Sequence, residues 1–192
     1  MDINTQLQWH WQTVITVLKT VPFWVYLLPG LAMPVLYMMD QTAISPYLTK
    51  HYAEIFSPLV LAVALLLSVI ALVKNQQMFY RWVGFFALIL FLRELHFVGT
   101  NNGFYIGFLI LMWWASKYRE TLQNDLFSKK ILSLTVLLIW VYLITKTFDR
   151  HLWDSYMPAN TNPDLFEENL ELLGHLLFLG LTTVALLRSR KN

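Results

Sequence analysis

The chain has 192 residues, 57% of them hydrophobic and 14% charged, with mean hydropathy +0.50 and a formal net charge of +2. Soluble domains carry about 25% charged residues, so this composition excludes an ordinary soluble domain or a nucleic-acid binder and points to a single all-α, polytopic integral membrane domain over 1–192. There is no cysteine, which excludes disulfides, thiolate metal sites and cysteine nucleophiles.

Residues 1–20 hold Trp9, His10 and Trp11, then Val14, Ile15, Val17 and Leu18. They read as a short interfacial segment, because Trp rings favour headgroup depth. His10 in that setting reads as an interfacial residue, not a ligand. No basic region followed by a short apolar run and a small-residue cleavage site is seen, so no removable signal peptide is expected.

Six transmembrane helices are expected, at about 21–39, 55–73, 78–98, 104–116, 131–148 and 165–187, since spanning takes about 20 apolar residues. Span 1 contains Pro22, Pro29, Gly30 and Pro34 and is expected to be kinked or broken. The connection 40–54, with Asp40, Lys50, His51 and Glu54, reads as a loop or short surface helix. Span 2 is apolar apart from Ser57 and Ser68 and reads as scaffold. Span 3 ends in Arg93, Glu94 and His96, and residues 99–103 form a turn by composition. Span 4 ends in Trp113 and Trp114 at an interface. A loop over 117–130, basic at both ends, leads to span 5, which finishes with Lys146, Asp149, Arg150 and His151. Span 6 starts beside Asn162 and Asp164, either of which offers an N-cap, and its first-turn acids suit the positive end of the helix dipole.

Six spans place both termini on one side. That side carries ten basic residues against three acidic, and the other carries four basic against nine acidic. The positive-inside rule therefore puts both termini in the cytoplasm. In a bacterial inner (cytoplasmic) membrane the acidic side faces the periplasm.

The chemistry is expected on that acidic side. Asp164, Glu167, Glu168, Glu171 and His175 fall within roughly a 100° arc of one helix face, and His175 stands roughly 16 Å along the axis from Asp164. Ionisable groups within a membrane segment normally face protein or water and carry a function. The ends of spans 3 and 5 bring Arg93, Glu94, His96, Lys146, Asp149, Arg150 and His151 to the same side, so three polar clusters can meet in one cavity.

Glu171 and His175 are i,i+4 neighbours and Glu168 and Glu171 are i,i+3 neighbours. Carboxylate and imidazole groups from several helices make zinc, iron or manganese centres. Glu94, His96, Asp149, His151, Glu168, Glu171 and His175 form the candidate ligand set. The spacing here is Glu-x-x-x-His, whereas the di-iron bundles use Glu-x-x-His. Without metal, Glu168, Glu171, Glu94 and His175 are candidates for general acid/base work, because paired buried carboxylates split their proton affinities. Haem ligation by His96 and His175 is disfavoured, since so many nearby carboxylates suit a macrocycle poorly. Arg93, Arg150 and Lys146 are candidates to hold an anionic group of a substrate.

These residues point to a membrane-embedded, metal-dependent enzyme (hydrolase, transferase or oxidase) acting on a membrane lipid or lipid-linked small molecule. A proton- or cation-coupled transporter or channel would use the same stripe. It needs polar groups through the whole membrane, whereas 85–92, 131–138 and 176–187 are nearly all apolar. An accessory or assembly subunit would use the cluster as structural ion pairs.

Overall fold

The computed structural model describes residues 3–42, 45, 48–95, 100–153, 155–157 and 163–189, and for 3–7, 9–10, 100–102 and 163–164 it describes the backbone alone. The described elements are helices: α1 (Ile3–Thr20), α2 (Phe23–Asp40), α3 (Lys50–Lys74), α4 (Met78–Glu94), α5 (Thr100–Lys117), α6 (Arg119–Leu126), α7 (Lys129–Asp149) and α8 (Pro163–Ser189). Helices α2, α3, α7 and α8 are long and apolar enough to cross a membrane.

Helix α8 is the axis of the bundle. It packs against α3 on one flank and α7 on the other; α4 lies against α3, α5 against α4, and α2 against α7. The sequence explains this order. Phe166, Leu170, Gly174, Phe178, Leu181, Ala185 and Ser189 recur every three or four residues on α8 and are all buried. On α3 the buried positions are Ala53, Ser57, Leu61, Ala64, Ser68 and Ala71. In lipid there is no hydrophobic drive between apolar helices, so close van der Waals contact between small residues is what holds them. The α3 stripe supplies that surface, which gives span 2 its scaffold role.

Outward faces are apolar: Leu59, Leu66 and Val73 on α3, and Ile106, Leu109 and Met112 on α5, are exposed. In water, contiguous exposed apolar surface of this kind marks an interaction face; hydrocarbon is the natural cover for it.

Three expectations change. Residues 100–103, expected as part of a turn, open helix α5. Helix α2 is not broken: it continues through Pro29 and Pro34, with Pro22 at its N-cap. Each proline removes one intrahelical hydrogen bond, and neighbouring turns keep the helix intact, as membrane helices commonly do. The 117–130 loop contains a helix, α6, with Glu120 in its first turn and Leu122 buried against the bundle.

Candidate metal centre and its two cavities

Glu94 is the last residue of α4, and α8 presents Glu171 and His175 one turn apart. Ligand atoms from these three residues all lie within 4.8 Å of one another. Glu94 Oε2 stands 3.8 Å from His175 Nε2, beyond hydrogen-bond reach. Bonds of 2.0–2.2 Å in a tetrahedral site put ligand atoms roughly 3.4 Å apart, so rotamer-scale movement closes this set on an ion. A Glu–Glu–His group of this kind can hold a metal ion.

His175 is the decisive member. It is 0% exposed, and neither Nδ1 nor Nε2 has a hydrogen-bond partner among the described residues. Leaving a buried polar group unsatisfied costs about 1–3 kcal/mol. Sharing one ion with the two carboxylates would satisfy the imidazole and offset their charge.

The surroundings fix the geometry. Arg93, one residue before Glu94, pairs with Glu171 Oε1, and both side chains are largely buried. A carboxylate has two oxygens, so this pairing leaves the second for a ligand. The guanidinium also lies over the Phe104 ring, 5.3 Å from its centroid. On the far side of His175 stands Tyr142 of α7, with ring centroids 5.9 Å apart. A Cβ at Gly174 would come within 2.8 Å of Tyr142 Cε1. Gly174 is thus what lets the Tyr142 ring pass close to α8. The Tyr142 hydroxyl is buried and likewise has no hydrogen-bond partner among the described residues.

Two cavities meet here. A polar one of about 340 Å³ lies between the end of α4, the end of α7 and the starts of α3 and α8. An apolar crevice of about 190 Å³ runs below it between α5 and α7, floored by Phe86, Leu90 and Leu138. Arg93, Phe104, Lys146 and Glu171 line both.

No family model matches the chain, and no match was found among curated proteins or solved structures.

The candidate residues divide as follows. Arg93, Glu94, Lys146, Asp149, Glu168 and Glu171 line the polar cavity together with Glu167, and His175 meets Glu94 and Glu171. Glu168 is held by Lys50 at 3.1 Å and Asp149 by Lys146 at 2.7 Å. Arg150 is the exposed C-cap of α7. His151 is exposed with φ 56°; its N–H donates to Phe148 O and that of Leu152 to Thr147 O, so it occupies the left-handed position that closes the helix. His96 and Asp154 lie outside the described residues, as do the side chains of His10 and Asp164.

Sequence reasoning missed Lys50, Glu54, Phe104, Tyr105 and Tyr142. The i,i+4 spacing of Lys50 and Glu54, which pair at 3.8 Å, was a readable signal for those two. Tyr142 had none, because one Tyr among the aromatics of an apolar span does not stand out.

Proposed function

We propose that the chain is a six-span protein of a bacterial inner membrane, with both termini cytoplasmic, and a divalent-metal-dependent enzyme acting on a lipid or lipid-linked substrate from the periplasmic side. The observation that carries this reading is the fully buried His175, with no hydrogen-bond partner at either nitrogen among the described residues, beside Glu94 and Glu171 at the junction of a polar and an apolar cavity.

Six spans fit the helices. By rise, α4 and α5 reach roughly 25 Å and 27 Å, near the hydrocarbon thickness of about 30 Å. Helix α4 packs against α3 and α5 against α4, and α5 carries an outward apolar face. The charge asymmetry of the sequence supports the orientation.

Two carboxylates and one imidazole suit zinc, iron or manganese. Three protein ligands leave a position open, as in catalytic sites. Bound there, a divalent ion supplies Lewis-acid polarisation of an ester or phosphoryl oxygen. Arg93 orients Glu171. The Tyr142 hydroxyl is a proton donor to a leaving group. The crevice holds the substrate's hydrocarbon and keeps water from the buried side of the site.

A transport route has less support. Beneath His175 the buried core is mostly apolar, with Phe86, Phe178, Leu181 and Ala185, and the buried hydroxyls of Ser68 and Thr182 donate to carbonyls of their own helices, a thin supply of polar steps toward the other side.

The test is turnover of a mixed lipid extract by purified protein in non-ionic detergent, without any gradient, followed by mass spectrometry. New products that vanish on chelation and return with one divalent metal are expected. Tyr142→Phe should keep its metal and lose about a hundredfold or more in rate. No products from any lipid class, with metal-loaded protein, would contradict the reading.

A further inference from the structure

The polar cavity has a sign. Six carboxylates line it against three basic groups, Lys50, Arg93 and Lys146. Those three are each already paired: Lys50 with Glu54 and Glu168, Arg93 with Glu171, and Lys146 with Asp149. Among the described lining residues each cation already faces a carboxylate, and carboxylates are in excess. Glu167, by contrast, has no ion-pair partner among the described residues.

The remaining lining residues are aromatic. Phe104 and Tyr105 of α5 both line the cavity, with ring centroids 5.7 Å apart in an edge-to-face arrangement. Phe104 already receives Arg93 on its face. Carboxylates facing aromatic rings are the chemistry that recognises an ammonium group, which gains from ring quadrupoles and formal charge together.

Below the rings the crevice opens sideways. Ile139 and Leu143 on its α7 rim are 48% and 54% exposed, and Phe108 on its α5 rim is 40% exposed. In a membrane this rim meets hydrocarbon, so a chain can lie in the crevice while its head stays in the cavity.

We propose that the cavity and crevice together bind an amphiphile with a cationic, ammonium-type headgroup, its chain between α5 and α7 and its head between Glu167, Asp149, Phe104 and Tyr105. The inference rests on the lipid-facing reading of the site above, and not on the identity of any metal.

The test is native mass spectrometry of the full chain released from non-ionic micelles. The added probes are equimolar dodecyltrimethylammonium and dodecyl phosphate, with tetramethylammonium in a separate sample and metal content measured alongside. Wild type should retain the cationic amphiphile over the anionic one by about tenfold or more, the scale of one to two kcal/mol for a desolvated cation–aromatic contact. The double variant Glu167→Gln, Asp149→Asn should reduce that preference to about threefold or less. Leu143→Trp, at an exposed rim position, should lose both chain-bearing probes, and tetramethylammonium alone should not be retained. Equal or greater retention of dodecyl phosphate, or a preference that survives the double variant, would overturn the proposal. Tetramethylammonium held as well as its dodecyl analogue would overturn the part played by the crevice. Metal-free protein that still prefers the cationic probe would remove the metal reading and leave this one standing; metal-loaded protein with no preference would do the reverse.

Discussion

The two ends of the bundle are both charged, and they differ in how their polar groups are satisfied. At the end formed by the start of α7, the end of α8 and α6, Arg188 reaches Asp125 Oδ1 at 3.4 Å and donates to Ser128 Oγ at 3.0 Å and to the Asp125 carbonyl. A cavity of about 370 Å³ lies there too, with Lys129 and Lys130 on its wall and both exposed. Among the described residues, the unpartnered buried groups toward that end are two single hydroxyls in separate clusters, Tyr26 of α2 and Tyr80 of α4. At the other end Arg93 is buried against Glu171, and beside them stand an imidazole and a phenol, ring centroids 5.9 Å apart, whose nitrogens and hydroxyl have no hydrogen-bond partner among the described residues. Charge and a hollow are common to both ends. Convergent, buried and unsatisfied groups belong to one. That difference, not charge density, singles out the site, because a satisfied ion pair has nothing further to bind and an orphaned imidazole does.

The contrast can be pressed by mutation. Arg93→Leu strands the Glu171 carboxylate in a buried place, and loss of one partner of a buried pair costs about 3–5 kcal/mol. Thermal unfolding in detergent should show the largest drop of the series, with partial recovery in the Arg93→Leu, Glu171→Gln double variant. No recovery would mean that the two side chains are not coupled. Gly174→Ala pushes a methyl into the Tyr142 ring. It should lower stability by about 1–3 kcal/mol, the usual range for overpacking, and impair lipid turnover beyond what its stability loss explains. A wild-type melting curve would show that the approach of α7 to α8 is looser than Gly174 implies. Arg188→Gln at the opposite end should change stability by about 1 kcal/mol or less, as part-exposed ion pairs do, and leave metal content and turnover untouched. Loss of metal from that variant would erase the distinction between the ends.

Most of the helical framework was legible because membrane helices are long, apolar and punctuated. Lys74 to Gln77 mark a real boundary between α3 and α4, whereas Thr100 to Gly103, turn-like in composition, form the start of α5. Helix α6 was not legible, since Arg119–Leu126 has the polar composition of a loop and is positioned by Leu122 packing inward. The prolines of α2 were read for their local cost, which the rest of the helix absorbs. In the site, Glu94, Glu171 and His175 could be found from sidedness and i,i+4 spacing. Glu168 and Asp149 share those signals, yet each lies against a lysine. Which carboxylate meets a lysine and which meets the imidazole depends on how α3 and α7 pack on α8, and periodicity within one helix does not contain that. His151 shows the same limit from the other side, as a histidine at the right depth whose backbone closes a helix.

The proposed chemistry requires that Glu94, Glu171 and His175 share an ion. Elemental analysis of the purified full chain, wild type beside Glu94→Gln, Glu171→Gln and His175→Ala, measures this directly. Near one zinc, iron or manganese per wild-type chain is expected, falling by about tenfold or more in each folded variant, in line with or beyond what loss of even an outer-shell partner does to metal affinity. Folded wild-type protein that takes up no divalent metal when all three are supplied would contradict it.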